Sequence, residues 1–68
     1  MKEFSQNLKL ARLKSGKSKK DIARAVNVSI SSIENWENGR SLPNLINLLK
    51  LCKILNCSSD ELLGVVNY

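Results

Sequence analysis

Apolar residues recur along this chain at intervals of three and four positions, with almost no alternation at intervals of two. That spacing is typical of helices that bury one face, so the chain is predicted to be all-α. Small polar residues, glycine and asparagine mark where each helix begins and ends. The five predicted helices cover approximately residues 2–15, 18–26, 29–37, 44–55 and 58–63.

Capping signals locate the ends of two helices. Ser18 with Asp21 resembles a capping box that has Asp in place of the usual Glu, and Ser58 with Glu61 is a complete Ser-x-x-Glu box. Asn27 is expected to end the second helix, because Asn tolerates positive φ better than any residue except Gly. The residues expected to face inward are Phe4, Leu8, Ala11, Ile22, Ala23, Val26, Ile33, Trp36, Leu62 and Leu63.

The fourth predicted helix carries more apolar residues than one buried stripe requires. Eight of the positions from 45 to 55 are apolar, whereas a helix packed on one side needs only a stripe. We therefore expect Ile46, Leu51 or Ile54 to need a further covering surface. The tail adds more apolar surface at Val65, Val66 and Tyr68. Either this tail folds back over the fourth helix, or two chains meet there.

Length and cysteine usage restrict the class of protein. Sixty-eight residues fit one domain, 1–68, with packing or dimerisation surfaces in residues 44–68. Cys52 and Cys57 are expected to be free, buried thiols in a cytoplasmic protein, because the N-terminus does not resemble a signal sequence. The chain has no histidine and no zinc-like spacing, so we expect no metal or cofactor. No apolar run is long enough for a membrane span.

Positive charge is concentrated in the first part of the chain. Residues 1–28 hold eight Lys or Arg and two acidic residues, 8 − 2 = +6, while residues 29–68 hold three and four, 3 − 4 = −1. A basic half of this kind favours a polyanionic partner. The charge distribution alone is equally consistent with a basic surface that is only solvated and binds no partner.

The segment 18–39 adds the observation that separates these two interpretations. Its two helices are joined by only Asn27 and Val28, and Ala23 is small where the helices would have to cross. The second of them has an outward face made of Ile30, Ser31, Ser32, Glu34 and Asn35. Short polar groups at the N-terminal end of an exposed helix suit contacts with base edges in a major groove, close to the positive end of the helix dipole.

In these residues the chain resembles the helix-turn-helix regulators of the phage repressor and Cro type, the XRE family. The resemblance extends from about residue 8 to residue 63. Its elements are Leu8-x-x-x-Arg12-x-x-x-Gly16, Ser18-x-x-Asp21-Ile22-Ala23, Val26-Asn27-Val28-Ser29, Ile33-x-x-Trp36-Glu37-Asn38-Gly39, Pro43-Asn44-Leu45 and Asp60-Glu61-Leu62-Leu63. It implies a compact five-helix, lambda-repressor-like DNA-binding domain whose helix-turn-helix is formed by the second and third helices.

The resemblance also implies roles for individual residues. The third helix would read the major groove and the second would cross the phosphate backbone. The implied base-reading residues are Ile30, Ser31 and Asn35, with Ser32 close by. The implied phosphate-binding residues are Ser18, Lys19, Asn38 and Arg40, with Lys9 and Lys17 as weaker candidates. Arg12 and Glu37 occupy positions that pair in several members of the family, and the alternative is two unrelated surface charges.

Lys19 departs from the family pattern, which usually has Gln at this position. Gln can bond a phosphate and also brace a side chain of the reading helix, whereas Lys is a flexible point charge. We therefore expect Lys19 to keep its phosphate affinity while its part in base reading stays open. Ile30, at a position where polar residues are common, points to apolar discrimination such as contact with a thymine methyl group.

The resulting hypothesis is a sequence-specific double-stranded DNA-binding protein, a transcriptional regulator acting as a repressor. A homodimer on a near-palindromic operator is favoured, because operators of this family usually mirror such symmetry. No membrane and no small-molecule ligand is expected as a partner. The alternative is an antitoxin or anti-repressor that uses the same fold to hold a protein. An enzyme is disfavoured, because the chain has no histidine, no paired-carboxylate constellation and no phosphate-cradling glycine loop.

Overall fold

The computed structural model describes residues 2–65, with side chains from residue 3 onward, and contains five helices within that range. Their bounds are α1 Lys2–Ser15, α2 Lys19–Val26, α3 Ile30–Glu37, α4 Leu45–Leu55 and α5 Ser59–Leu63. The predicted all-α class and all five predicted helices are confirmed. Residues Val66 and Tyr68, on which the tail hypothesis partly rests, lie outside the described residues.

Each helix from α2 to α5 begins at a side chain that caps it. In all four cases the cap oxygen accepts the backbone N–H three residues later, which satisfies one of the free donors at a helix start. The caps are Ser18, Ser29, Asn44 and Ser58. Both predicted capping boxes are complete, because the carboxylates of Asp21 and Glu61 accept the backbone N–H of their own cap serine.

The core forms where α1 packs against α3 and α5 while α2 packs against α3 and α4. Apolar side chains from all five helices meet there, as the period of three to four residues requires for helices with one buried face. The buried apolar residues are Phe4, Leu8, Ile22, Ala23, Val26, Ile33, Trp36, Leu51, Leu55 and Leu62. Ala11 and Leu63, also expected inside, are partly buried against this core.

The expectation for α4 is partly wrong. Leu51 does not need a further cover, since it is fully buried, and Ile54 is partly buried against the core. Contacts from α1, α2 and α5 all reach α4, so its buried face is wider than the stripe of a helix packed on one side. Ile46 is exposed as expected, and the surplus apolar surface is at the N-terminal end of the helix.

Cys52 and Cys57 are free thiols packed at the edge of the core. Both are partly rather than fully buried, so the expected burial is only partly confirmed. Burial nevertheless raises the pKa of both thiols, which keeps them protonated and poorly nucleophilic at neutral pH. Among the residues that the structure describes, no helix is long and apolar enough to cross a membrane.

Candidate nucleic-acid interface

The corner between α2 and α3 is closed by one residue in the left-handed conformation. Asn27 has φ 64° and ψ 50°, and its N–H bonds back to carbonyls of the last turn of α2. The N–H of Val28 donates to the carbonyl of Ala23 at 2.9 Å. Ala23 itself is buried, so a larger side chain there would push the helices apart, as the sequence indicates. The expectation that Asn27 ends the second helix with a positive φ is confirmed.

A buried ion pair joins α1 to the end of α3. Arg12 Nε donates to Glu37 Oε2 at 2.6 Å, and Arg12 Nη2 donates to Glu37 Oε1 at 3.1 Å. Only 9% of Arg12 and 8% of Glu37 remain exposed. The hydrogen bond to Glu37 is the main cause that raises the pKa of Arg12. The structure thus contains the pair that the family resemblance implies.

The same guanidinium reaches the start of α2. Arg12 Nη1 donates to the carbonyl oxygen of Lys17 at 3.2 Å, one residue before the Ser18 cap. Arg12 therefore fixes α1, the segment preceding α2 and the last turn of α3 relative to one another.

The outward face of α3 presents the residues expected to read bases. Ile30 is 44% exposed and Ser31 is exposed, while Asn35 is partly exposed on the side opposite the buried Ile33. Ser32 is placed differently, because its hydroxyl lies 3.0 Å from the hydroxyl of Ser29 and its N–H bonds the same cap. Ser32 therefore takes part in the hydrogen bonds at the start of α3, next to the face that is expected to read bases.

The expected phosphate-binding residues fall into two groups. Ser18 begins α2, and Asn38 and Arg40 follow the end of α3, where the N–H of Arg40 bonds the carbonyl of Asn35 at 2.9 Å. These three side chains are exposed around the two helices of the motif. Lys9 is exposed on α1, and Lys17 lines a groove that faces the C-terminal end of α4.

Lys19 makes a contact that the sequence did not predict. Its Nζ lies 3.7 Å from Glu34 Oε2, which links the first turn of α2 to the middle of α3. Both side chains keep substantial exposure, 39% and 48% respectively. The sequence places Glu34 on the outward face of the third helix but assigns no role to it. Opposite charges fifteen residues apart give no local signal, so only the angle between α2 and α3 reveals the pair.

Comparison with known proteins connects this geometry to characterised regulators. The chain is 37% identical over 61 residues to the HTH-type transcriptional regulator ImmR of Bacillus subtilis, covering 90% of this chain and 48% of ImmR. It is 35% identical over 48 residues to the cryptic phage CTXphi transcriptional repressor RstR of Vibrio cholerae, covering 71% of this chain and 43% of RstR. The chain thus spans about half the length of these curated relatives.

Solved structures share the whole arrangement. The P22 c2 repressor bound to a synthetic operator superposes with a TM-score of 0.85 at 32% identity, covering 91% of this chain and 94% of that one. The restriction-modification controller protein C.AhdI from Aeromonas hydrophila gives 0.82 at 30% identity, covering 90% and 92%. The helix-turn-helix family HTH_3 matches residues 8–62. Its match includes the corner, both helices around it and the Arg12–Glu37 pair, and the chain belongs to this family.

Proposed function

We propose that this protein is a sequence-specific double-stranded DNA-binding regulator of transcription that acts as a repressor. The observation that carries the proposal is a closed corner that presents the exposed Ile30 and Ser31 and the partly exposed Asn35 on the outward face of α3. The named functions of ImmR and RstR, and the operator bound to the P22 c2 repressor, support the same function. A bacterial regulator of this kind acts in the cytoplasm, where the DNA is.

In the proposed complex α3 enters the major groove and α2 crosses the phosphate backbone. Asn35 is suited to a bidentate hydrogen bond with adenine, and Ile30 to contact with a thymine methyl group. Ser18 and Lys19, at the start of α2, bind backbone phosphates of the DNA. Asn38 and Arg40 bind backbone phosphates beyond the C-terminal end of α3. Phosphate contacts set the register of α3, while its exposed side chains set the base preference.

The base-reading proposal is tested by selecting bound sites from random duplexes with the wild-type chain and with point variants. Ser31→Ala and Asn35→Ala should each relax the preference at particular base positions, at about 1–3 kcal/mol for a well-formed contact. Lys19→Ala should weaken binding to all sequences. An unchanged selected site for Asn35→Ala would remove that residue from the reading set.

The exposed end of α4 supports a homodimer. Four large apolar side chains are exposed in the loop before α4 and in its first two turns, and we call them the α4 apolar face: Leu42, Leu45, Ile46 and Leu49, exposed at 51%, 69%, 65% and 56%. Large apolar patches on a surface mark interaction sites. A two-fold dimer through this face would place two α3 helices in successive major grooves about 34 Å apart on a near-palindromic operator.

Light scattering at micromolar concentration tests the dimer. We expect a mass near twice 7.6 kDa for the wild-type chain and a mass near 7.6 kDa for Ile46→Lys. Leu10→Lys is the matched control, because Leu10 is 63% exposed on α1, outside the α4 apolar face. A monomeric wild-type chain at every concentration, or equal behaviour of the two variants, would refute the dimer through this face.

The comparisons do not favour the alternative of a pure protein-interaction module. Both curated relatives are named for regulation of transcription, and the family is one of DNA-binding regulators rather than an enzyme class. A gel-shift assay with the chain alone separates the two functions. A regulator retards its duplex without any added protein, whereas an interaction module does not.

A further inference from the structure

Glu34 lies at the edge of the face that is proposed to read bases. It follows Ile30 by four residues and Ser31 by three, so these side chains are neighbours on the surface of α3. Its carboxylate is about half exposed, in contrast to the buried carboxylate of Glu37 on the same helix. A negative charge therefore stands in the surface that would approach DNA.

A carboxylate in this position is restricted in what it can bind. It is an acceptor only, so phosphate oxygens repel it and base acceptors offer it nothing. The donors that a major groove exposes are exocyclic amino groups, N4 of cytosine and N6 of adenine. Glutamate pairs characteristically with the cytosine amino group, because adenine also presents the N7 acceptor beside its donor.

Lys19 supplies the cation that holds this carboxylate in place. Its Nζ, 3.7 Å from Glu34 Oε2, approaches from the first turn of α2, the helix that is proposed to lie across the phosphates. An exposed ion pair of this length adds little to folding stability. The pair joins the helix that is proposed to cross the phosphates to the helix that is proposed to read bases. We therefore expect it to affect DNA recognition more than folding stability.

We propose that Glu34 is a specificity-determining residue that accepts a hydrogen bond from the exocyclic amino group of a cytosine in the major groove, with Lys19 as its positioning residue. The inference rests on the proposed function, since it adds a base contact to the same DNA complex. It explains how Lys19 takes part in base reading at a position where the family usually has Gln.

The first test is the substitution Glu34→Gln, followed by selection of bound sites from random duplexes. Gln pairs with adenine through N6 and N7, so one position in each half-site should change from cytosine to adenine. At that position, the ratio of affinities for the two bases should shift by about fivefold or more. Glu3→Gln is the control, because it removes the same charge from an exposed position on α1, away from α2 and α3.

The second test is Lys19→Met, which keeps an unbranched side chain only one heavy atom shorter and removes its charge. We expect weaker binding to every duplex, together with a loss of base preference confined to the position that Glu34→Gln changes. A phosphate contact alone would leave the selected sequence unaltered.

Three results decide the inference. An identical selected site for the wild type and for Glu34→Gln overturns it, as does the same change in the Glu3→Gln control. Uniform weakening by Lys19→Met with no loss of base preference removes Lys19 from the reading function. If the wild-type chain retards no duplex at all, the proposed function fails and this inference fails with it.

Discussion

At the scale of single residues, Arg12 and Glu37 stabilise the fold through a contact that spans 25 positions of sequence. Burial removes water from both charged groups, and their attraction offsets the lost hydration energy only when the geometry of the pair is good. The two hydrogen bonds between Arg12 and Glu37 provide that geometry. Nothing local in the sequence joins these positions, so the pair was accessible only through the family resemblance. The raised pKa of Arg12 keeps its guanidinium charged up to strongly alkaline pH.

Removal of one partner from this pair should be strongly destabilising. Arg12→Met leaves the buried carboxylate of Glu37 without a cation, which we expect to lower the free energy of unfolding by about 3–5 kcal/mol. Urea titration followed by circular dichroism measures this loss. Lys19→Met is the matched control, because it breaks an exposed ion pair and should cost less than about 1 kcal/mol. Equal losses in the two variants would contradict the difference in burial.

The two left-handed asparagines are a second case at this scale. Asn27 and Asn56 end α2 and α4 with φ of 64° and 53°. Asn27→Ala should lower the free energy of unfolding by about 1–2 kcal/mol, because a side chain with a Cβ and no local hydrogen-bonding group is strained there. Asn27→Gly should be close to neutral. Thermal unfolding compares the two variants, and an Asn27→Ala protein as stable as the Gly variant would contradict the prediction.

At the scale of helices, the N-caps explain why the predicted bounds agree with the structure. A Ser or Asn cap followed by an apolar period fixes a helix start through local hydrogen bonds alone, which the sequence displays directly. The burial of α4 could not be predicted in the same way, because the width of its buried face depends on how many helices pack against it. The Lys19–Glu34 contact needed the angle between two helices, which no local pattern encodes.

The two capping boxes form a matched pair for mutation. Ser18→Ala and Ser58→Ala should each lower the free energy of unfolding by about 1 kcal/mol, because each removes one N-cap. Only Ser18 lies in the proposed interface, so Ser18→Ala should also weaken operator binding while Ser58→Ala should not. Fluorescence anisotropy with a labelled duplex measures the affinity. An equal effect of both variants on affinity would exclude a phosphate contact at Ser18.

The boxes also make stability depend on pH. Hydrogen bonds from the cap serines lower the pKa of Asp21 and of Glu61. A carboxyl group whose pKa is lower in the folded state stabilises that state above the unfolded pKa, and the contribution is lost as pH falls through the folded pKa. The midpoint of urea unfolding should therefore decrease below about pH 4. A double variant, Asp21→Asn with Glu61→Gln, should show a smaller decrease than the wild type.

At the scale of the whole molecule, charge and shape favour the same partner. The excess of six positive charges in residues 1–28 covers α1 and α2, and α2 is the helix proposed to cross the phosphates, while α3 carries short polar side chains. The chain spans about half the length of its curated relatives, and it contains the face of α3 that is proposed to read bases. Operator recognition is therefore testable on the 68-residue chain.

Salt dependence tests this electrostatic contribution. If a dimer makes about 8 phosphate contacts, the association constant for operator DNA should fall by about 10³–10⁵ between roughly 50 and 200 mM salt, because bound cations are released from the duplex. Anisotropy titrations across this range measure the slope. Binding that is insensitive to salt would contradict a phosphate-dominated complex.

The three-way contact of Arg12 has a consequence for how the protein would meet its partner. Because one guanidinium fixes α1, the start of α2 and the end of α3, the relative orientation of the two motif helices is set before any encounter. A preorganised surface loses little conformational entropy when it docks, so more of the contact energy remains as affinity. Association should then resemble the docking of a rigid body, with a heat-capacity change that reflects the buried interface and no folding of the protein.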